Sequence, residues 1–135
     1  MAIVVGFVPS PEGRAALTRA IEEATLRGRR LIVLNASRGD ALVDQRYASS
    51  TDWDAVKREL EESGVEHEVV QAVEATDPAD QLLRVAESTN AELVVIGLRR
   101  RTPVGKLIMG SAAQTILLES EAPVLAVKAP RGNGR

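Results

Sequence analysis

Residues 2–8 read Ala2-Ile-Val-Val-Gly-Phe-Val8, a short and unbroken apolar run that ends at Pro9-Ser-Pro11. A run of this length without polar residues predicts a strand buried on both faces, as in a parallel sheet. Ser10 then offers a helix N-cap, and Pro11 stands at the first helical position, where a missing N–H costs nothing. The stretch therefore predicts the opening β-α unit of a parallel α/β fold. Asp77-Pro78 repeats this cap-plus-proline start before a later helix.

The same unit recurs along the rest of the chain, because four further strand patterns alternate with amphipathic helical patterns. Three are apolar runs, Leu31–Leu34, Leu93–Ile96 and Pro123–Val127, and the fourth, Val65–Val73, begins with alternating apolar and polar residues, which predicts an edge strand with one wetter face. This alternation predicts an open, doubly wound, five-stranded parallel sheet with helices on both faces and right-handed crossovers. We predict the Rossmann-like strand order 3-2-1-4-5. Helical spacing predicts that Ala113, Ile116 and Leu117 of the last helix face inward.

Length and composition limit the class of protein. The 135 residues, 44% of them apolar, predict a single domain over residues 1–129 and a disordered Pro/Gly/Arg tail at 130–135. One Phe, one Tyr and one Trp are too few for a base-stacking surface, and a net charge of −2 favours neither nucleic acid nor membrane as a partner. Cysteine chemistry is excluded. Without a signal-peptide pattern, we expect a cytoplasmic protein.

A cationic segment follows the fourth predicted strand. Residues 93–118 include no acidic residue but four cations, Arg99, Arg100, Arg101 and Lys106. In the order 3-2-1-4-5 the winding reverses between strands one and four, so a crevice opens at their carboxyl ends, near residues 8–10 and after Gly97. The helix that begins near Gly110-Ser111 directs free N–H groups to the same place, and such groups suit phosphate.

These residues predict an anion or nucleotide site, and a second interpretation stays open. Gly97 and Gly110 let a ligand approach the backbone closely or allow a positive φ, and Ser111 offers a hydroxyl. Equally, the glycines are turn residues and the arginines belong to a solvated loop. No set of catalytic or metal-ligating residues stands out, since His67 lies on an edge strand and Asp40 and Asp44 lack further ligands.

The glycine spacing resembles the universal stress protein family, whose nucleotide-binding members carry G-x-x-G-x9-G-[ST] after the fourth strand. Gly97 and Gly110-Ser111 fit this spacing without a gap. The flanking and opening segments that also fit are Glu92-Leu-Val-Val-Ile-Gly97, Ala122-Pro-Val-Leu-Ala-Val-Lys128 and Ile3-Val-Val-Gly6. The resemblance covers nearly the whole chain, apart from residues 37–50 and the tail. It implies a fold of the adenine-nucleotide alpha hydrolase type and a homodimer that binds ATP or a related adenine nucleotide, with or without magnesium.

The resemblance also implies which residues hold the nucleotide. In the family the glycines and the Gly-[Ser/Thr] pair surround the phosphates and ribose, while an Asp after the first strand and a small apolar residue after the second hold the adenosine. By position, the implied site consists of Val8, Pro9, Ser10, Ala36, Gly97, Arg99, Arg100, Gly110, Ser111 and Ala112. Two of these depart from the family pattern, because Val8 stands in place of the Asp and Arg100 in place of the second glycine.

The departures leave two functions open. Arg100 can clamp phosphate bidentately, which predicts a stress-response regulator whose occupancy changes its binding to protein partners of unknown identity. Alternatively, Arg100 fills the crevice, and the protein is a dimeric interaction module that binds no nucleotide. An enzyme ranks last, at most a slow ATPase, because the crevice sequence offers no evident general base.

The fifth predicted strand lies at a sheet edge that only Pro123 and Lys128 protect. Such an apolar edge favours pairing with another chain. We predict that two copies meet edge to edge in an antiparallel C2 homodimer. The predicted interface consists of Pro123, Val124, Leu125, Ala126 and Val127.

Overall fold

Five strands and four helices alternate along the chain in a computed structural model, which describes residues 1–37, 50–73, 77–99 and 110–130. The strands are β1 (Ala2–Gly6), β2 (Arg30–Ser37), β3 (His67–Val73), β4 (Leu93–Leu98) and β5 (Val124–Lys128). The helices are α1 (Pro11–Arg27), α2 (Ser50–Ser63), α3 (Pro78–Ser88) and α4 (Ser111–Glu119). Residues 131–135, most of the predicted tail, lie outside the described ranges.

All five strands run parallel in one sheet, in the order β3-β2-β1-β4-β5, which confirms the predicted topology. The central strand β1 pairs with β2 through Val5↔Val33 and with β4 through Val5↔Val95. The strands β2 and β3 extend the sheet on one side of β1, and β4 and β5 extend it on the other side. The winding therefore reverses between β1 and β4. A crevice beyond the carboxyl ends of these two strands follows from that reversal.

Helices cover both faces of the sheet, as the sequence predicts. On one face, α1 and α2 bury Leu17, Trp53 and Leu60 against β1, β2 and β4. On the other face, α3 and α4 bury Leu82 and Ile116. The prediction that Leu117 faces inward is wrong, since 37% of its surface is exposed. Burial of Ile116 sets the orientation of this short helix and turns the next residue outward.

The predicted N-caps of α1 and α3 are formed. The Ser10 hydroxyl accepts a hydrogen bond from the Gly13 N–H at 3.0 Å, and the Asp77 carboxylate accepts one from the Ala79 N–H at 2.8 Å. Each cap satisfies one N–H that the helix itself leaves unbonded, so each fixes where its helix begins. Both helices therefore begin at the carboxyl edge of the sheet, beside the crevice.

A network of charges joins α1 to β4 at the amino edge of the sheet. Glu92 accepts hydrogen bonds from Arg27 and from Arg29, each at 2.7 Å. The Arg27 guanidinium, together with that of Arg29, holds the pKa of Glu92 below its ordinary value, because these bonds favour the charged carboxylate. The network lies at the edge opposite the crevice, so it stabilises the fold without contributing to the site.

Two glycines allow the first turn of α1 to pack closely against the β1–α1 connection and against the end of β4. A Cβ on Gly13 would overlap the carbonyl oxygen of Val8, and a Cβ on Gly97 would overlap the carbonyl oxygen of Glu12. The described glycines with positive φ are Gly28 and Gly64. The expectation of a positive φ at Gly97 is therefore wrong. Its missing side chain makes room for the first turn of α1, a contact within the protein.

Gly13→Ala is expected to lower the free energy of unfolding by roughly 1–3 kcal/mol or more, because the added methyl group meets backbone that cannot move aside. The gain of up to about 1 kcal/mol from replacing a helical glycine is smaller than this cost. Urea unfolding followed by circular dichroism measures the change.

The matched control is Gly110→Ser, where no heavy atom of the described residues lies within 4 Å of the new Cβ and serine is a good N-cap. Its stability should stay within about 0.5 kcal/mol of the wild type. Equal stability of Gly13→Ala and the wild type would contradict the proposed contact.

Candidate functional site

An apolar cavity of about 120 Å³ lies at the carboxyl edge of the sheet, between β1 and β4, on the face covered by α3 and α4. The described residues that line it are Gly6, Phe7, Val8, Leu34, Ala36, Pro78, Ala79, Leu82, Ile96, Gly97, Ala112, Ala113 and Ile116. None of these side chains carries a charge or a hydrogen-bonding group. The cavity therefore suits a flat apolar group, while polar contacts within it must come from the backbone.

Four of the predicted site residues line this cavity, although they lie far apart in the sequence. Val8 follows β1, Ala36 lies on β2, Gly97 lies on β4 and Ala112 lies in the first turn of α4. Three of the four are glycine or alanine, and their small size leaves the cavity open. The strand order brings the ends of β1, β2 and β4 side by side, which places these residues together.

The other predicted site residues either do not line the cavity or fall outside the residues that the structure describes. Pro9 and Ser10 form the half-buried β1–α1 connection, and the Ser10 hydroxyl is already engaged in capping α1. Gly110 and Ser111 are exposed at the start of α4. Arg100 lies outside the described residues, as do the predicted cations and carboxylates at positions 101, 106, 40 and 44.

The start of α4 presents backbone N–H groups beside the cavity that have no hydrogen-bond partner among the described residues. Its N-cap Gly110 makes no side-chain capping bond, and the first bond of the helix runs from the Gln114 N–H to the Gly110 carbonyl at 3.0 Å. The N–H groups of residues 111–113 therefore have no partner within the helix and carry its partial positive charge. No acidic residue lies in this first turn, so the position is compatible with an anion.

The sequence analysis missed an acidic residue close to the crevice. The Glu12 carboxylate lies 3.6 Å from the Arg99 guanidinium, and 12% of its side chain is exposed, against 60% of the Arg99 side chain. The sequence patterns placed the crevice at position 8 and at residues 93–118, where no acidic residue occurs. Glu12 lies outside these segments, in the first turn of α1. The sequence did contain a signal for this residue, because Glu12 directly follows Pro11 in the first turn of a predicted helix.

Residues of α3 were missed as well. Pro78, Ala79 and Leu82 form one wall of the cavity. The Asp77-Pro78 helix start was visible in the sequence, and a helix that begins at the carboxyl edge on the same face as α4 must approach the crevice. Strand order alone did not specify which helices share that face.

A buried polar network holds the strand that leads into the site. The Asn35 side chain is fully buried in β2, donates to the Phe7 carbonyl at 2.9 Å and accepts from the Gln71 side chain at 3.1 Å. The Phe7 N–H donates to the Leu34 carbonyl at 2.8 Å. These bonds tie the end of β1 to β2 and β3, so they fix the position from which Val8 faces the cavity.

The sequence profile of the universal stress protein family matches residues 1–128. The chain belongs to the universal stress protein family. A universal stress protein from Mycolicibacterium smegmatis is 51% identical over 130 residues, a match that covers 96% of this chain and 98% of that protein. Family membership confirms the resemblance carried by Gly97, Gly110 and Ser111.

Solved structures of universal stress proteins confirm the Rossmann-like fold. One from Archaeoglobus fulgidus is 32% identical, with a TM-score of 0.72, and the match covers 95% of this chain and 98% of that one. A second from the same organism, in complex with dAMP, is 26% identical, with a TM-score of 0.70 and the same coverage.

The described ranges contain neither a candidate membrane span nor a candidate metal site. None of the helices there combines the length and apolar content that a membrane span requires. In the same part of the chain, no three His, Cys, Asp or Glu side chains come together as ligands for a metal ion.

Asn35→Ala is expected to lower the free energy of unfolding by about 1–3 kcal/mol, because the Phe7 carbonyl loses a donor in a buried environment. Gln71→Ala is the matched control, since it removes an amide from the same network at a half-buried position and should cost less. Chemical unfolding measures both. A loss at Asn35 no larger than that at Gln71 would contradict the assigned role.

Proposed function

We propose that this universal stress protein binds ATP or a related adenine nucleotide in the crevice between β1 and β4. The observation that carries the proposal is one juxtaposition, an apolar cavity lined by Ala36 and Ala112 beside the uncapped start of α4. A nucleotide has the complementary division, with a flat apolar base at one end and phosphate at the other. The dAMP-bound relative from Archaeoglobus fulgidus supports the class of ligand.

The volume of the cavity supports an assignment of the base, and not of the whole nucleotide, to its interior. Pockets that enclose a whole drug-sized ligand measure roughly 300–1,000 Å³. The cavity of about 120 Å³ is smaller, so it would receive the base, and the sugar and phosphates would extend out of it. The free N–H groups at residues 111–113 would then meet phosphate, where the partial charge of the helix favours an anion.

Val8 gives this site a character different from the family pattern. Where the family has an Asp to hold adenosine, this chain presents an apolar side chain to the cavity. Binding would then depend on apolar contact with the base and on the phosphate, and less on hydrogen bonds to ribose. Phosphorylated ligands should therefore bind more tightly than adenosine, and we propose that the occupied state changes binding to regulatory protein partners.

Ala36→Leu should weaken binding of ATP by a factor of about 5 to 150, because a larger side chain fills the space for the base, and overpacking costs about 1–3 kcal/mol. Isothermal titration calorimetry with ATP, AMP and cyclic AMP, with and without magnesium, measures the affinities. Ala55→Leu places the same side chain on an exposed position of α2 and should change nothing. Equal affinity of Ala36→Leu and the wild type would contradict the assigned pocket.

The same titration on Arg100→Gly separates the two functions that the sequence leaves open. If Arg100 clamps phosphate, the variant binds ATP more weakly than the wild type. Binding by the variant together with no binding by the wild type would instead identify an interaction module with an occluded crevice.

We further propose that the protein is a homodimer through β5. This strand ends the sheet, and no strand of the described chain pairs with its outer side. The residues predicted for the interface lie here, with Val124 to Val127 half-buried and Pro123 exposed. Leu118 of the neighbouring α4 is 84% exposed. An unpaired edge beside exposed apolar surface favours association with a second copy.

Sedimentation velocity at micromolar concentration should show a dimer for the wild type and a monomer for Ala126→Lys, because a charged side chain at the edge opposes pairing. Leu26→Lys is the matched control, since Leu26 is 81% exposed on α1 and should not affect association. Circular dichroism checks that both variants fold. A monomeric wild type would refute the dimer.

A further inference from the structure

The ion pair between Glu12 and Arg99 bridges the two chain segments that border the crevice. Glu12 belongs to the first turn of α1, and Arg99 follows the last residue of β4. The distance between the Glu12 Oε2 and Arg99 Nε atoms is 3.6 Å, and the Glu12 residue is 9% exposed. A carboxylate this deeply buried depends on its cationic partner, and Arg99 is that partner within the described residues.

Glu12 is the fixed member of the pair. Its backbone contacts Gly97 so closely that the glycine has no room for a Cβ, and the Ser10 cap holds the turn that carries it. The positive end of α1 also favours a carboxylate at this position. The Arg99 side chain is long and 60% exposed, so it can change direction while Glu12 stays in place.

Arg99 has two alternative anionic partners under the proposed function. It stands two residues beyond Gly97, which lines the cavity, so the exposed Arg99 side chain extends from the same strand end that borders the cavity. A guanidinium can bind phosphate through two parallel N–H bonds, a better geometry than a single contact at 3.6 Å to a carboxylate. The carboxylate and the ligand would therefore compete for the same side chain.

We propose that Glu12 is a specificity-determining residue that holds Arg99 in the free protein and is displaced by ligand phosphate. The proposal rests on nucleotide binding in the crevice and adds its regulation. Glu12 lowers the affinity for every phosphorylated ligand, because breaking the ion pair opposes binding, and it leaves the affinity for adenosine unchanged. The site then responds to phosphate groups and not to the nucleoside alone.

The test is calorimetric titration of the wild type and Glu12→Gln with ATP and with adenosine. ATP should bind the variant about two- to fivefold more tightly, the size expected for a partly exposed ion pair, and adenosine should bind both proteins equally. Glu22→Gln is the matched control, since its carboxylate lies on the same helix, 3.9 Å from Arg19 and largely exposed, and its loss should leave ATP affinity unchanged.

A second pair of proteins separates competition for Arg99 from direct repulsion of the ligand. In the Arg99→Gln background, Glu12→Gln should leave ATP affinity unchanged, because the side chain for which the two anions compete is gone. The same increase in both backgrounds would overturn the proposal, because Glu12 would then act on the phosphate itself.

Three further outcomes also count against the proposal. Unchanged or weaker ATP binding by Glu12→Gln would overturn it while leaving the proposed function intact. A parallel change in adenosine affinity would overturn it as well, since that result indicates a structural effect on the cavity. Binding of ATP by neither the wild type nor Glu12→Gln would refute the proposed function, and the role of Glu12 with it.

Discussion

Close backbone packing of the first turn of α1, against the β1–α1 connection and against the end of β4, is the constraint on which the site depends. Gly13 lies against the Val8 carbonyl and Gly97 against the Glu12 carbonyl, in both cases without room for a side chain. This contact sets how closely α1 approaches the central strands. It also places Glu12 beside Arg99 and leaves the opposite face of Gly97 to line the cavity.

The two faces of the sheet consequently have different roles at the crevice. The face under α1 is closed by packing and by an ion pair, whereas the face under α3 and α4 retains an apolar cavity. Asn35 links them, because it lies inside the sheet and bonds to the backbone of the strand that carries Val8. The end of β1 is held by hydrogen bonds while the Arg99 side chain is largely exposed, an arrangement that suits the proposed competition between Glu12 and ligand phosphate.

The two departures from the family pattern replace an acid by the apolar Val8 and a glycine by the cation Arg100. With Val8 in place of an acid, no side chain that lines the cavity carries a charge or a hydrogen-bonding group, so the proposed nucleotide site would draw its polar contacts from outside the cavity. The family relationship, which includes a 51% identical protein, therefore establishes the fold more firmly than it establishes the ligand. Arg100 remains a prediction, because it lies outside the described residues.

The sequence by itself determined the alternation of strands and helices, the N-caps at Ser10 and Asp77, and the family. These features depend on neighbouring residues, on hydrophobic period and on a motif of fixed spacing. It could not choose between Ile116 and Leu117 for the core, since both fit a helical stripe. Only the tertiary structure brought Glu12 to Arg99, Asn35 to Phe7, and α3 to the cavity wall. Contacts between residues distant in sequence follow from how whole elements pack, which no local pattern encodes.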